Sequence, residues 1–285
     1  MTELIFWTRQ IWWEPSYKDF PEEKSIELLK YAYKSWVRLF DTAPIYWKWK
    51  SEELLWKALK NVRKNLKIIT KFWFNFDANL NTVFDFTSYG IKKQLEESLE
   101  RLQTDFIDIY LLHIPDEWNM DIDEIIETLN ILKKTGKIKS YGISNTYSNL
   151  LNTFLNHKES EIDFIQDFYN IIENKTEKLI FPYINWNIQF MAYSPLFRWV
   201  LTDNSFKQLL EKDENAINRL LKHDWLSSII KKRKILWEIS KRKNISIEKL
   251  AINFLKNKKE VNYIVFWTTS KKHLDEMIRL IKHNS

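Results

Sequence analysis

A chain of 285 residues with no Cys and a net charge of +6 is long enough for one large α/β domain, and it excludes a disulfide framework and a thiol-ligated metal site. No apolar run reaches the length of a membrane span, and Met1 to Phe6 lacks the basic-then-apolar layout of a signal peptide, so the expectation is a cytoplasmic chain. The densest basic runs, Lys231 to Lys234 and Lys241 to Lys243, fall in a helical stretch that also holds Glu238; they read as a solvated helix face, not as a nucleic-acid surface.

Short apolar runs and amphipathic stretches alternate along the chain. The runs are Ile5-Phe6, Val37 to Asp41, Leu66 to Lys71, Phe106 to His113, Ile138 to Ser144, Phe164 to Asp167, Phe190 to Tyr193 and Tyr263 to Phe266. Between them, apolar residues at three- and four-residue intervals predict helices over Glu22 to Lys34, Ser51 to Val62, Thr87 to Leu102, Ile122 to Thr135 and Glu173 to Asn185. The longer gap before the last run predicts two or more helices over about Asn204 to Lys256. Strand and helix repeated eight times in one chain, without a Pro/Gly/Ser-rich linker, predict a single-domain (β/α)₈ TIM barrel over residues 1–285.

Composition carries one anomaly. The chain has 14 Trp and 3 Gly, where average usage predicts roughly 20 Gly. Trp12-Trp13 stands where a turn is expected, Trp47 and Trp49 flank Lys48 behind Asp41 to Tyr46, and Trp199 follows Ser194 to Arg198. Turns favour Gly because it takes positive φ without steric cost. The pattern reads as UGA codons for glycine rendered as tryptophan, with Gly90, Gly136 and Gly142 coming from ordinary codons. Taken literally, the indoles would overpack the chain, and Trp47 would abut Tyr46. The alternative is a protein rich in genuine Trp, used as core or as a stacking surface.

In such a barrel the active site gathers at the carboxyl ends of the strands. Asp41, Lys71 and His113 end the second, third and fourth runs, and Tyr46 lies in the loop after the second. Each residue has an ordinary structural reading as a cap, a surface cation, a satisfied histidine or a loop aromatic. Their shared placement makes them candidate catalytic groups.

The motifs Phe40-Asp41-Thr42-Ala43-Pro44-Ile45-Tyr46, Ser51-Glu52-Glu53-Leu54-Leu55, Asp105 to His113, Gly136 to Asn145, Gln166 to Asn170 and Ala192-Tyr193-Ser194-Pro195-Leu196 follow one another in a set order. In this the chain resembles the aldo-keto reductase superfamily over essentially its whole length. Trp7, Trp36, Trp47, Trp56, Trp199 and Trp267 coincide with positions where that family commonly has Gly.

The resemblance implies reduction of a small aldehyde or ketone with NADPH, NADH being the weaker expectation. Tyr46 would act as general acid, Lys71 would lower its pKa, Asp41 would hold Lys71, and His113 would orient the carbonyl. Ser144, Asn145 and Gln166 would hold the nicotinamide carboxamide, and Tyr193 would stack on its ring. Ser194, Leu196 and Arg198 would meet the pyrophosphate, and Thr268, Lys271 and Lys272 the adenosine 2′-phosphate. In that last segment His273 stands where many members have Arg, and Met277 where many have Asn. The resemblance also admits a cofactor-binding, redox-sensing module with little turnover. It fixes neither the substrate nor the oligomeric state.

Overall fold

The computed structural model describes residues 2–10, 21–76, 82–116, 119–146, 148–184, 187–197, 200–202 and 224–282. Its strands are β1 (Glu3–Trp7), β2 (Leu39–Asp41), β3 (Lys67–Phe72), β4 (Phe74–Phe76), β5 (Thr82–Phe84), β6 (Ile107–Leu112), β7 (Ile138–Ser144), β8 (Phe164–Phe168), β9 (Gln189–Tyr193) and β10 (Val261–Phe266). Eight of them close in the order β1-β10-β9-β8-β7-β6-β3-β2, every neighbour parallel. The eight runs read from sequence are these eight strands. A two-stranded antiparallel hairpin, β4 with β5, follows β3 and was not anticipated.

Each barrel strand is buried on both faces, which is why it reads as a continuous apolar run instead of an alternating one. On β6, Ile109 and Leu111 join the interior cluster with Ile5, Leu39, Ile69, Phe164, Met191 and Val265, while Tyr110 and Leu112 join the layer beneath the helices. Gly142 is required by this closeness, since a Cβ there would lie 2.1 Å from the Phe164 carbonyl oxygen on the neighbouring strand.

The helices are α1 (Glu22–Lys34), α2 (Lys50–Leu59), α3 (Ser88–Leu102), α4 (Ile122–Lys134), α5 (Ser148–Asn156), α6 (Thr176–Leu179), α7 (Asp224–Lys243), α8 (Ile247–Lys256) and α9 (Lys271–Lys282). In α1, Ser25, Leu28, Leu29 and Ala32 form the buried stripe that the periodicity predicts. Side-chain caps start three of the helices: Thr87 Oγ1 accepts from Gly90 N, Asp121 Oδ1 from Glu124 N, and Ser246 Oγ from Lys249 N. The helix expected over Glu173 to Asn185 is a correction. Among the described residues there, the four of α6 and a 3-10 turn at Phe181–Tyr183 form, with Pro182 blocking continuation. Helix α5 was missed because its nine residues carry no charged end signal. Of the stretch from Asn204, α7 and α8 are described and residues 203–223 lie outside the described residues. Among the described residues, no helix is long and apolar enough to cross a membrane.

Backbone conformation bears on the Trp anomaly. Helix α4 ends through Gly136 at φ 75°, with Gly136 N bonded to Lys133 O and Lys137 N to Leu132 O. Helix α1 ends in the same way, with Trp36 at φ 72°, Trp36 N bonded to Tyr33 O and Val37 N to Ala32 O. Trp36 therefore occupies the helix-terminating position that Gly fills without strain. After β2, Trp47 (φ 59°), Lys48 (φ 44°) and Trp49 (φ 63°) are three successive left-handed residues. The indoles of Trp36 and Trp47 are 72% and 38% exposed, so the strain at these two positions lies in the backbone and not in the packing. Trp36→Gly is expected to raise the unfolding free energy by about 1 kcal/mol, because the left-handed conformation costs an L-residue roughly 1–2 kcal/mol. Urea titration of the two chains checks this, and a loss of stability would contradict it.

Candidate active site

Side chains on a strand alternate between faces, so the residue two positions beyond an interior core residue points into the barrel mouth. Counting two on from Ile5, Leu39, Ile69, Leu111, Gly142, Phe164, Met191 and Val265 gives Trp7, Asp41, Lys71, His113, Ser144, Gln166, Tyr193 and Trp267. Six of these eight are candidates read from sequence. Trp7 and Trp267 complete the set.

At its centre is a fully buried ion pair. Lys71 Nζ donates to Asp41 Oδ1 at 2.5 Å and to Thr42 O at 2.9 Å, and both side chains have no exposure. Gln166 Nε2 donates to the other carboxylate oxygen, Oδ2, at 2.7 Å. Burial pushes the Asp41 carboxyl up and the Lys71 ammonium down, and their mutual attraction opposes both shifts. Behind the pair, Glu52 on α2 accepts from Thr70 Oγ1 at 2.7 Å and from Arg101 Nε at 2.6 Å, fixing α2, β3 and α3 together.

Tyr46 is held over this pair by the turn after β2, where Tyr46 N bonds Ala43 O, Trp49 N bonds Pro44 O and Ser51 N bonds Tyr46 O. The Lys71 ammonium lies 5.0 Å from the centre of the Tyr46 ring. The expected lowering of the Tyr46 pKa is corrected here: burial, with the Asp41 charge, pushes the phenol well above its ordinary value. The Lys71 ammonium beside the ring does not offset that burial. His113 faces Tyr46 with ring centres 5.8 Å apart at 83°, and burial with the Lys71 charge holds its imidazole well below the ordinary value and so neutral.

The Tyr46 hydroxyl is also bonded to an indole from β1: Trp7 Nε1 donates to Tyr46 Oη at 2.9 Å. The same indole packs against Tyr193, ring centres 5.7 Å apart.

The polar candidates form one chain of hydrogen bonds. Tyr193 Oη donates to Asn145 Oδ1 at 2.5 Å, Asn145 Nδ2 donates to His113 O at 2.9 Å and Ser144 Oγ at 3.0 Å, and Ser144 Oγ reaches Gln166 Oε1 at 3.4 Å. A cavity of about 190 Å³ opens beside them, lined by Trp7, Arg9, Ile45, Tyr46, Trp73, His113, Ile114, Asn145, Gln166 and Tyr193.

The remaining described candidates are not among the residues that line that cavity. Ser194 follows Tyr193 at φ 57°, and Asn170 Nδ2 donates to its carbonyl at 3.2 Å; Leu196 packs into the core. Arg198 lies outside the described residues. Thr268 is buried, its hydroxyl accepting from Ser270 N at 3.0 Å. Lys271 is paired with Glu27, Lys272 is exposed, and Met277 faces the core. Sequence reasoning missed Trp7, Arg9 and the link from Gln166 to Asp41. Strand parity was the signal that finds Trp7.

The profile of the Aldo/keto reductase family matches residues 5–284. The chain belongs to the aldo/keto reductase family. It is 35% identical over 183 residues to Aldo-keto reductase YhdN of Bacillus subtilis (strain 168), a match covering 64% of this chain and 54% of that protein. The chain thus spans little more than half of that relative's length. It is 26% identical over 280 residues to an NADH-specific methylglyoxal reductase of Escherichia coli (strain K12), covering 93% of this chain and 85% of the relative. The solved structure of aldo-keto reductase AKR11C1 from Bacillus halodurans (holo form) superposes with a TM-score of 0.78 at 23% identity, over 99% of this chain and 87% of that one, and shows the shared fold.

For the family's nicotinamide cofactor, Ser144, Asn145 and Gln166 present amide and hydroxyl groups of the kind a carboxamide needs, now bonded to one another, to His113 and to Asp41, and Tyr193 presents a ring. The Trp7 indole is packed on that ring and bonded to Tyr46. Neutral His113 also has a signature in stability. Its folded pKa is depressed below the unfolded value of about 6.5, so the unfolded state binds more protons and stability is lost as pH falls through that value. Urea unfolding between about pH 7.5 and 5 is expected to show a shallower acid-side loss in His113→Gln than in the parent chain; equal slopes would contradict the assignment.

Proposed function

We propose that this protein reduces a small aldehyde or ketone to an alcohol with NADPH, Tyr46 donating the proton. The observation that carries the reading is the convergence of Tyr46 and His113 on one cavity above the buried Asp41–Lys71 pair. Carbonyl reduction needs a hydride at carbon and a proton at oxygen. The bound nicotinamide supplies the hydride.

The chain's own residues supply the rest. Burial keeps the Tyr46 hydroxyl protonated at neutral pH, so a donor is always present. Neutral His113 offers a ring N–H to the carbonyl oxygen, orienting it toward Tyr46. Lys71, locked by Asp41, adds fixed positive charge beneath the tyrosine ring, where negative charge develops as the proton leaves. Ser144, Asn145, Gln166 and Tyr193 would hold the nicotinamide, with Gln166 linking that site to Asp41.

The preference for NADPH over NADH rests on Thr268 and Lys272 beside the start of α9, since Lys271 is engaged by Glu27. Arg198, assigned by resemblance to the pyrophosphate, remains part of this proposal.

The working protein carries glycine at position 7 on this reading, and at 36, 47 and 49. Left-handed φ values at the last three and the indole lodged on Tyr46 and Tyr193 at the first support this decoding. The seat of Trp7 is also the one observation that favours a module with little turnover, and glycine at 7 removes it.

Trp7→Gly is expected to tighten NADPH binding by about tenfold or more by opening the face of Tyr193. In that background Tyr46→Phe is expected to lower kcat by roughly 10²–10⁴ while leaving NADPH affinity unchanged. Fluorescence titration and steady-state assay with NADPH and with NADH check both points. Turnover that survives loss of the Tyr46 hydroxyl would overturn its role as acid.

A further inference from the structure

We infer that Arg9 makes the active-site cavity selective for carbonyl compounds that carry a carboxylate. The inference rests on the reductase reading and names the substrate class of that same site.

Arg9 is placed by the 3-10 turn Thr8–Gln10, directly after β1 delivers its last residue to the barrel mouth. Its backbone position follows from the strand end. Of the ten residues that line the cavity, Arg9 alone carries a permanent charge, because His113 is held neutral. The nearest carboxylate of the site, Asp41, is fully buried and occupied by Lys71 and Gln166. Among the described residues, Arg9 forms no ion pair; its guanidinium lies 5.5 Å from the centre of the Trp7 ring. A cation on a cavity rim that no carboxylate among the described residues pairs is a site for an anion.

The rest of the wall narrows the class. Ile45, Trp73 and Ile114 are apolar and offer no second charged anchor. The polar end of the cavity is the Tyr46–His113 pair, where the carbonyl belongs. With the indole in place the cavity measures about 190 Å³, small against the roughly 300–1,000 Å³ of pockets for drug-sized ligands. A short 2-oxo acid or aldehydo acid meets all three demands, its carbonyl at Tyr46 and His113 and its carboxylate on the planar guanidinium fork.

The experiment uses aldehyde pairs of equal heavy-atom count in which an uncharged acetyl group replaces the carboxylate, with reduction followed at the aldehyde: glyoxylate against methylglyoxal, and succinic semialdehyde against 4-oxopentanal. Steady-state kinetics in the full chain and its Trp7→Gly variant are expected to give kcat/KM at least tenfold higher for each carboxylate member. Arg9→Gln should remove that advantage through KM while leaving the neutral aldehydes within twofold, and Arg9→Lys should restore part of it. Equal effects of Arg9→Gln on both members of a pair, or no effect on either, would overturn the inference while leaving the reductase reading intact. Calorimetric titration of glycolate, the product carboxylate, separates the two readings. Binding lost in Arg9→Gln without turnover of any aldehyde would uphold the anion site and sink the reductase reading. Glycolate binding equal in parent and variant would sink the anion site.

Discussion

Everything at the mouth of this barrel depends on two opposite charges held without water. Asp41 ends β2 and Lys71 lies one residue from the end of β3, so the barrel must close in register for their atoms to meet at 2.5 Å. A third strand enters through Gln166 of β8, on the far side of the barrel, which takes the second carboxylate oxygen. Removing either charge would leave the other buried and alone, a loss of about 3–5 kcal/mol, so the pair specifies the site as much as it serves it. Tyr46 rests over the pair and His113 faces it. The outer network of Glu52, Thr70 and Arg101 holds β3 from behind.

Strand parity explains how one pleat period turns a core into a site. Ile5, Leu39, Ile69, Phe164 and Met191 fill the barrel interior, and the next residues of the same parity are Trp7, Asp41, Lys71, Gln166 and Tyr193. The barrel's requirement for bulky apolar filling stops within two residues of each strand end, and the chemistry begins there.

This is why the fold and the catalytic candidates were legible in the sequence. Strands buried on both faces read as apolar runs, and residues at their carboxyl ends are polar against that background. Other features left no local trace. The link from Gln166 to Asp41 joins residues 125 positions apart. The pKa direction of Tyr46 is set by its burial in the closed barrel, with the Asp41 charge beside it, which no spacing reveals. The short α6 resulted from Pro182 interrupting a stretch whose periodicity was helical. The cofactor-phosphate candidates rested on resemblance alone, and of them Lys271 is already paired with Glu27.

The Trp residues unite these strands of argument. Trp36 stands in the helix end that Gly136 occupies elsewhere in the same chain, Trp47 and Trp49 share its left-handed conformation, and Trp7 fills the space between Tyr46 and Tyr193. Three of these positions are left-handed and the fourth lies against two aromatic site candidates, which is what the proposed glycine decoding accounts for. The most direct measurement is tandem mass spectrometry of the protein isolated from its natural source, covering positions 7, 36, 47 and 49. The account predicts glycine at all four. Tryptophan at position 7 in a protein that turns over aldehydes with NADPH would contradict it.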